Sequence, residues 1–310
     1  MTQTIRNNKK HKQKRKTKKI KPMVCNPGVE NTSINNSCFT NDVLLQLKTS
    51  FNHSHPKNKI QNSEPNKIWN DLKSKLTTCN KEDCWLETIP DIAVRNKIEK
   101  EAFAPKQPKK WKKSPKTWLT NFDIGKVLKQ YEKPYPNFRI IGPTPIDFDT
   151  RPIENMGTCV WEELCNFKLQ DYIDKKITKI GIVFNLDKHD ESGSHWVSMF
   201  IDLEDNFIFY LDSAGDPIPT EIKTLVDRIT QQSLNLSSPI NLKYYDSNQV
   251  IHQMGNTECG MYSLFFIITM LTNKHNNRKF KNIKDKLNFF KNKRIPDSYI
   301  YKYRKKYFNL

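Results

Sequence analysis

The chain has 310 residues, 36% hydrophobic and 27% charged, enough for one sizeable folded domain and a smaller accessory one. Its formal charge of +19 is unevenly placed: residues 1–22 carry ten Lys/Arg and no acid, residues 273–310 carry thirteen against Asp285 and Asp297, and the interval between is nearly neutral. No secretory leader is expected from a charged N-terminus with no apolar segment behind it, and Met261–Leu271, the longest apolar run, is too short for a membrane span.

Residues 1–22 lack apolar periodicity and read as a basic disordered tail. Such an end suits contact with polyanions, either nucleic acid or an acidic protein surface. Asn41–Phe51 and Asn66–Leu76 read as short amphipathic helices, and the stretch around Cys84–Ile98 as a third. Together they define a helical N-terminal arm domain over 23–103. The segment 104–116, APKQPKKWKKSPK, has three prolines and six lysines and reads as a linker. A catalytic domain with a basic C-terminal helical extension is then expected over 117–310. It opens with TWLTNFDIGKVLKQYE, helical in spacing with Thr120 or Asn121 as N-cap.

The period then changes. ITKIGIVFNL (177–186), HWVSMFID (195–202) and FIFYLD (207–212) read as strands, the last two joined by a tight turn near Leu203–Asn206. Asp216–Ile229 and Gly260–Leu271 read as helices, with KYYDSN (243–248) a strand between them. Strands gathered centrally with helices toward both ends indicate an α+β fold. In the C-terminal stretch, Leu287, Phe289, Phe290, Tyr299, Tyr301 and Tyr307 alternate with the basic residues and predict packed helices with solvated faces. The seven cysteines include no CxxC pair and no zinc-ribbon spacing, so reduced thiols are expected.

One stretch, HQMGNTECGMYSLFFIITML (252–271), places Cys259 where a polar segment meets an apolar helix. A helix N-terminus presents unpaired N–H groups and about half a positive charge, which favours a thiolate. A thiolate nucleophile needs an imidazole partner and a group to orient it. His195 heads a strand and therefore sits at the rim of the sheet; His252 is a rival only by closeness in sequence. With a two-residue turn centred on Leu203 and Glu204, His195 pairs directly with Asp212, close enough for the carboxylate to hold an imidazole N–H. Gln253, six residues before Cys259, can supply a side-chain donor to an oxyanion beside the Cys259 backbone N–H.

His195-Trp196, Asp212 in YLDSAG and QMGNTECG together resemble the adenovirus-protease and SUMO-protease clan. The resemblance implies a Cys259–His195–Asp212 triad, Gln253 in the oxyanion hole, and an adenovirus-protease/SUMO-protease-like domain with a central mixed sheet flanked by helices. It also implies Trp118 and Trp196 as walls of a narrow substrate tunnel, and no cofactor or metal. SCFTNDVLLQL, CNKEDCWL and PKTWLTNFDIGKVLKQYE resemble one branch, the African swine fever virus polyprotein protease and its giant-virus relatives. In that branch Asn185 corresponds to an auxiliary polar residue. The function so implied is a thiol endopeptidase that cuts viral structural precursors after Gly-Gly during virion maturation, in the virion and in viral factories of the host cytoplasm. Two other functions fit parts of the pattern: a SUMO or ubiquitin-like deconjugase acting on host proteins, and a packaging protein that binds nucleic acid through its basic ends.

Overall fold

The computed structural model describes residues 19–29, 34, 37–153, 156–247, 249–276 and 278–310. Most of the expected basic tail, 1–18, lies outside the described residues. The chain divides into two compact units, Met1–Met23 with Val29–Ala102, and Val24–Gly28 with Phe103–Leu310.

The first unit is helical, with α1 (Asn41–Ser54), α2 (Pro65–Lys75) and α3 (Ile92–Ala102), and a 3-10 segment over Glu82–Thr88. Leu44, Leu47 and Phe51 of α1 and Ile68 and Leu72 of α2 are buried, as their spacing requires. The single helix expected around Cys84–Ile98 is instead two pieces. Pro90 cannot continue a helix, and the Asp91 carboxylate accepts from the Ala93 and Val94 N–H groups to start α3 afresh. Glu82, buried, ties this unit together by accepting from the Cys38 N–H at 3.0 Å and the Trp69 indole at 2.6 Å.

The second unit contains α4 (Asn121–Lys129), β1 (Phe138–Pro145), α5 (Glu162–Cys165), α6 (Leu169–Asp174), β2 (Lys179–Asn185), β3 (Trp196–Asp202), β4 (Phe207–Leu211), α7 (Thr220–Leu234), β5 (Lys243–Asp246) and α8 (Cys259–Thr272). It ends with the two-residue strands β6 (Lys274–His275) and β7 (Arg278–Lys279), then α9 (Ile283–Lys291), α10 (Asp297–Tyr301) and α11 (Arg304–Tyr307). The main sheet runs β1-β2-β3-β4-β5, with parallel pairs at both edges and antiparallel pairs in the centre. This is the expected α+β architecture with a mixed sheet.

Both faces of the sheet are covered, so β3 and β4 are buried along their whole length and read as continuous apolar runs. On one face Phe200, Phe207 and Phe209 pack with α4, α8 and the C-terminal helices. On the other Val197, Met199 and Ile208 pack with Ile222, Leu225 and Ile229 of α7. The basic C-terminal stretch therefore belongs to the core: Phe290 and Tyr307 are buried within it.

Three expectations are corrected here. Strand β1 lies where the sequence reading assigns no element, since Gly142, Pro143 and Pro145 are poor strand formers; it survives at a sheet edge, where a missing N–H costs little. Segment 104–116 is no linker. Trp111 is buried, its indole donates to the Thr117 carbonyl, and Lys106 bridges to Asn309. Finally, the sulfurs of Cys79 and Cys84, and of Cys159 and Cys165, are brought together, with Cα separations of 6.6 and 6.3 Å that a disulfide spans. Cys259 is free and buried.

Helix α8 crosses β2 at Gly181, where an added Cβ would lie 2.9 Å from Ile267 Cγ2 and 3.3 Å from the Phe138 ring. Gly181→Ala is expected to destabilise the second unit by about 1–3 kcal/mol through overpacking, read as a lower denaturation midpoint. An unchanged midpoint would show that this crossing is loosely packed.

Candidate active site

Every residue of α8 from Cys259 to Leu271 is buried, so the nucleophile candidate is the first residue of a helix that cannot shift without repacking the core. Gly260 follows, at a point where even a methyl group would be tight. An added Cβ would lie 3.2 Å from Leu119 Cβ, 3.2 Å from Ile124 Cδ1 and 3.3 Å from Trp196 Cδ1. The start of α8 has no side-chain cap, which leaves its N–H groups and the positive end of the helix dipole at the sulfur.

His195 and Asp212 meet just past the ends of β3 and β4, with Nε2 2.7 Å from Asp212 Oδ1. Their register is not the one expected. The connection is the four-residue turn Leu203–Asn206, and the ladder pairs Ser198 with Leu211 and Asp202 with Phe207. Extended, that ladder sets His195 opposite Ala214, two positions on, and Asp212 diagonal to it. Asp202 fixes the longer turn by accepting from the Glu204 and Asp205 N–H groups, and Asn206 takes the left-handed conformation, φ +55°. Because side chains alternate with a period of two, a two-residue shift keeps both residues on one face, and diagonal neighbours still touch.

Asp212 is buried and also accepts from the Ala214 N–H at 2.8 Å, which fixes the carboxylate toward the ring. With Nε2 donating to Asp212, Nδ1 is the nitrogen left for sulfur. Burial alone would lower the His195 pKa, but the hydrogen bond to Asp212 and the nearby Asp212 and Cys259 outweigh it and push the ring up to about 10. The three expected members are thus one connected group.

Gln253 is also there, and its support was missed. Ser213, next to Asp212, accepts at its carbonyl from the His252 and Gln253 N–H groups, at 3.0 and 2.7 Å, and its hydroxyl donates to Gln253 Oε1 at 2.9 Å. The Gln253 amide gives one hydrogen to the Gly255 carbonyl at 2.7 Å and has a second one to give. Asp297 caps the same loop, accepting from the Met254 and Gly255 N–H groups. In the sequence, only the adjacency of Ser213 to Asp212 hinted at this.

His252 is no rival. Its Nδ1 accepts from the Ile295 N–H at 3.1 Å, so its Nε2 donates to the Phe290 carbonyl at 3.0 Å; burial holds its pKa below the ordinary value. Asn185, at the end of β2, accepts from the Asp187 and Ser194 N–H groups and so braces the loop leading to His195. Trp196 is buried under the first turn of α8, its indole donating to the Leu119 carbonyl at 3.0 Å, whereas Trp118 is 37% exposed. Among the described residues no cluster of three or more His, Cys, Asp or Glu is placed to hold a metal.

Comparison with known proteins matches residues 157–307 to the Ulp1 protease family, C-terminal catalytic domain. An Acanthamoeba polyphaga mimivirus protein with the provisional name of a thiol protease is 34% identical over 156 residues, covering 50% of this chain and 48% of that protein. An African swine fever virus protein named as a SUMO-1 cysteine protease is 30% identical over 167 residues, covering 50% of this chain and 58% of its own. The chain thus spans about half the length of these curated relatives. The crystal structure of an African swine fever virus protease superposes with a TM-score of 0.62 at 21% identity, covering 93% of this chain and 96% of that one; the fold is shared across both units.

His195 binds its proton more tightly in the folded chain than at the ordinary value of 6.5, so its stabilising contribution is complete below about pH 6.5 and is lost as pH rises toward about 10. The unfolding free energy of the wild type minus that of His195→Ala is expected to fall across that interval in urea titrations. A difference that stays flat would show that the ring has no excess proton affinity.

Proposed function

We propose that this chain, whose residues 157–307 match the catalytic domain of the Ulp1 protease family, is a thiol endopeptidase that processes viral structural precursors after Gly-Gly. The carrying observation is the His195 ring held at 2.7 Å by buried Asp212 and near enough to Cys259, at the head of α8, for the sulfur to raise its proton affinity.

Cys259 sulfur, paired with the His195 imidazolium, attacks the scissile carbonyl. The resulting oxyanion receives the free Gln253 amide hydrogen and the Cys259 backbone N–H. His195 protonates the departing amine, leaving a thioester. It then takes a proton from water, which attacks the thioester; the C–S bond breaks, releasing the acid product and the Cys259 thiolate, and the proton kept on His195 restores the starting pair. Asp212 keeps Nε2 occupied throughout, so that Nδ1 faces the reaction. Trp118 and Trp196, flanking Leu119 and Gly260, are the residues we assign to the walls of the glycine-accepting channel.

Viral relatives support a viral substrate; we place the enzyme in virions and host-cytoplasmic viral factories. Among the described residues, no helix is long and apolar enough to cross a membrane. A second reading, removal of SUMO or a ubiquitin-like protein, is supported by the match to the Ulp1 protease family and by the African swine fever virus relative named as a SUMO-1 cysteine protease. The basic ends suit an accompanying nucleic-acid contact that concentrates enzyme and precursor; retention on DNA should then fall steeply with salt and be lost when residues 1–22 are deleted.

Mass-spectrometric mapping of candidate virion precursors, wild type beside Cys259→Ala, is expected to show cuts after Gly-Gly only with the thiol present. Faster turnover of a SUMO C-terminal probe than of Gly-Gly-X peptides would favour the second reading, and no cleavage of either would sink both. Gln253→Ala is expected to lower kcat by about 10²–10³-fold with KM little changed, the signature of a donor that acts in the transition state.

A further inference from the structure

Resting on the protease reading, we propose that Arg304 is a positioning residue of the active site. Its buried guanidinium locks the Glu258–Cys259 turn against segment 115–117 and cancels the Glu258 charge beside the nucleophile.

Arg304 and Glu258 side chains are 3% and 5% exposed, and Arg304 Nη2 and Nε lie 2.9 and 3.2 Å from Glu258 Oε2. On its other side Arg304 Nη1 donates to the Pro115 and Thr117 carbonyls, at 3.0 and 3.2 Å. The guanidinium lies 4.1 Å over the Trp111 ring, whose own indole donates to the same Thr117 carbonyl. Lysine cannot reproduce this planar fork. One cation thus spans the two chain segments that meet at Gly260: Glu258-Cys259, and the stretch leading into Trp118 and Leu119.

Glu258 is the residue immediately before the sulfur. A buried carboxylate there, unpaired, would oppose a thiolate by like-charge repulsion, and an unpaired arginine would favour it. The other charged groups around this turn are His195 from the head of β3 with Asp212 behind it, and Asp297 and Arg294, which act on Tyr262 one turn along α8. His195 supports the thiolate; Arg304 removes the adjacent obstacle. Residues 304 and 258 lie 46 positions apart, and neither touches substrate or the reacting atoms in the steps given above.

The test compares Arg304→Met, Glu258→Gln, the double variant and Arg304→Lys. Two readings are taken: turnover of a Gly-Gly-X peptide, and the pH dependence of Cys259 alkylation by iodoacetamide, resolved by peptide mass spectrometry. Arg304→Met should move the half-point of alkylation up by about 1 pH unit and Glu258→Gln should move it down, with the double variant close to wild type. Opposite displacements are what a purely structural role would not produce. Arg304→Lys should keep the wild-type alkylation curve while kcat falls about 100-fold, because charge is retained and position is not. If Arg304→Met does not fold, Glu258→Gln and Arg304→Lys carry the same comparison. Half-points that stay fixed, or that move the same way in both single variants, overturn the proposal. The alkylation reading does not depend on any peptide being cleaved, so a chain that is not a protease and an Arg304 that does not position the turn give different results.

Discussion

The second unit depends on the complete burial of α8. A helix apolar on all sides has no stable place except between the sheet and other helices, and here Met261, Phe265 and Phe266 are enclosed by β3, β4, α4 and the aromatic C-terminal helices. That burial leaves the helix no freedom to slide or rotate. Its first residue is therefore fixed in space by hydrophobic packing along the whole length behind it, and that first residue is Cys259.

Polar chemistry is confined to the edge that this packing defines. His195 and Asp212 lie just beyond the regular ladder, where strands end and backbone groups must be satisfied by turns. Asp212 takes the Ala214 N–H, Ser213 takes two N–H groups and holds Gln253, and Asp297 takes two more. Each of these bonds satisfies a loop and orients a side chain at once. The loop hydrogen bonds and the site geometry are therefore one network, set on a rigid apolar base.

The C-terminal stretch illustrates why composition alone misleads. Thirteen basic residues, taken without the aromatic residues that alternate with them and predict packed helices, would describe a solvated appendage. Yet Lys286 and Arg304 are buried, Phe290 packs in the core, and Asn309 donates to the Val24 and Ala104 carbonyls. Long cationic side chains lie along apolar and aromatic surface, as the Arg304 guanidinium does over Trp111, and so coexist with a core. The lysine-rich stretch around Trp111 resembled a linker for the same reason: charge density hid one buried indole.

Periodicity, the Cys259 junction and the spacing of His195, Asp212 and Gln253 were legible in the one-dimensional chain, because each reflects local rules: alternation in strands, an apolar run for a buried helix, a polar turn before it. The face shared by His195 and Asp212 was legible too, since any even register preserves it. The register itself was not, because Asp202 chose a four-residue turn over a two-residue one through side-chain bonds that strand propensity does not encode. Nor were β1, the Ser213 and Asp297 supports, or the Arg304–Glu258 pair. Those come from residues distant along the chain, joined only when the folded core sets them side by side.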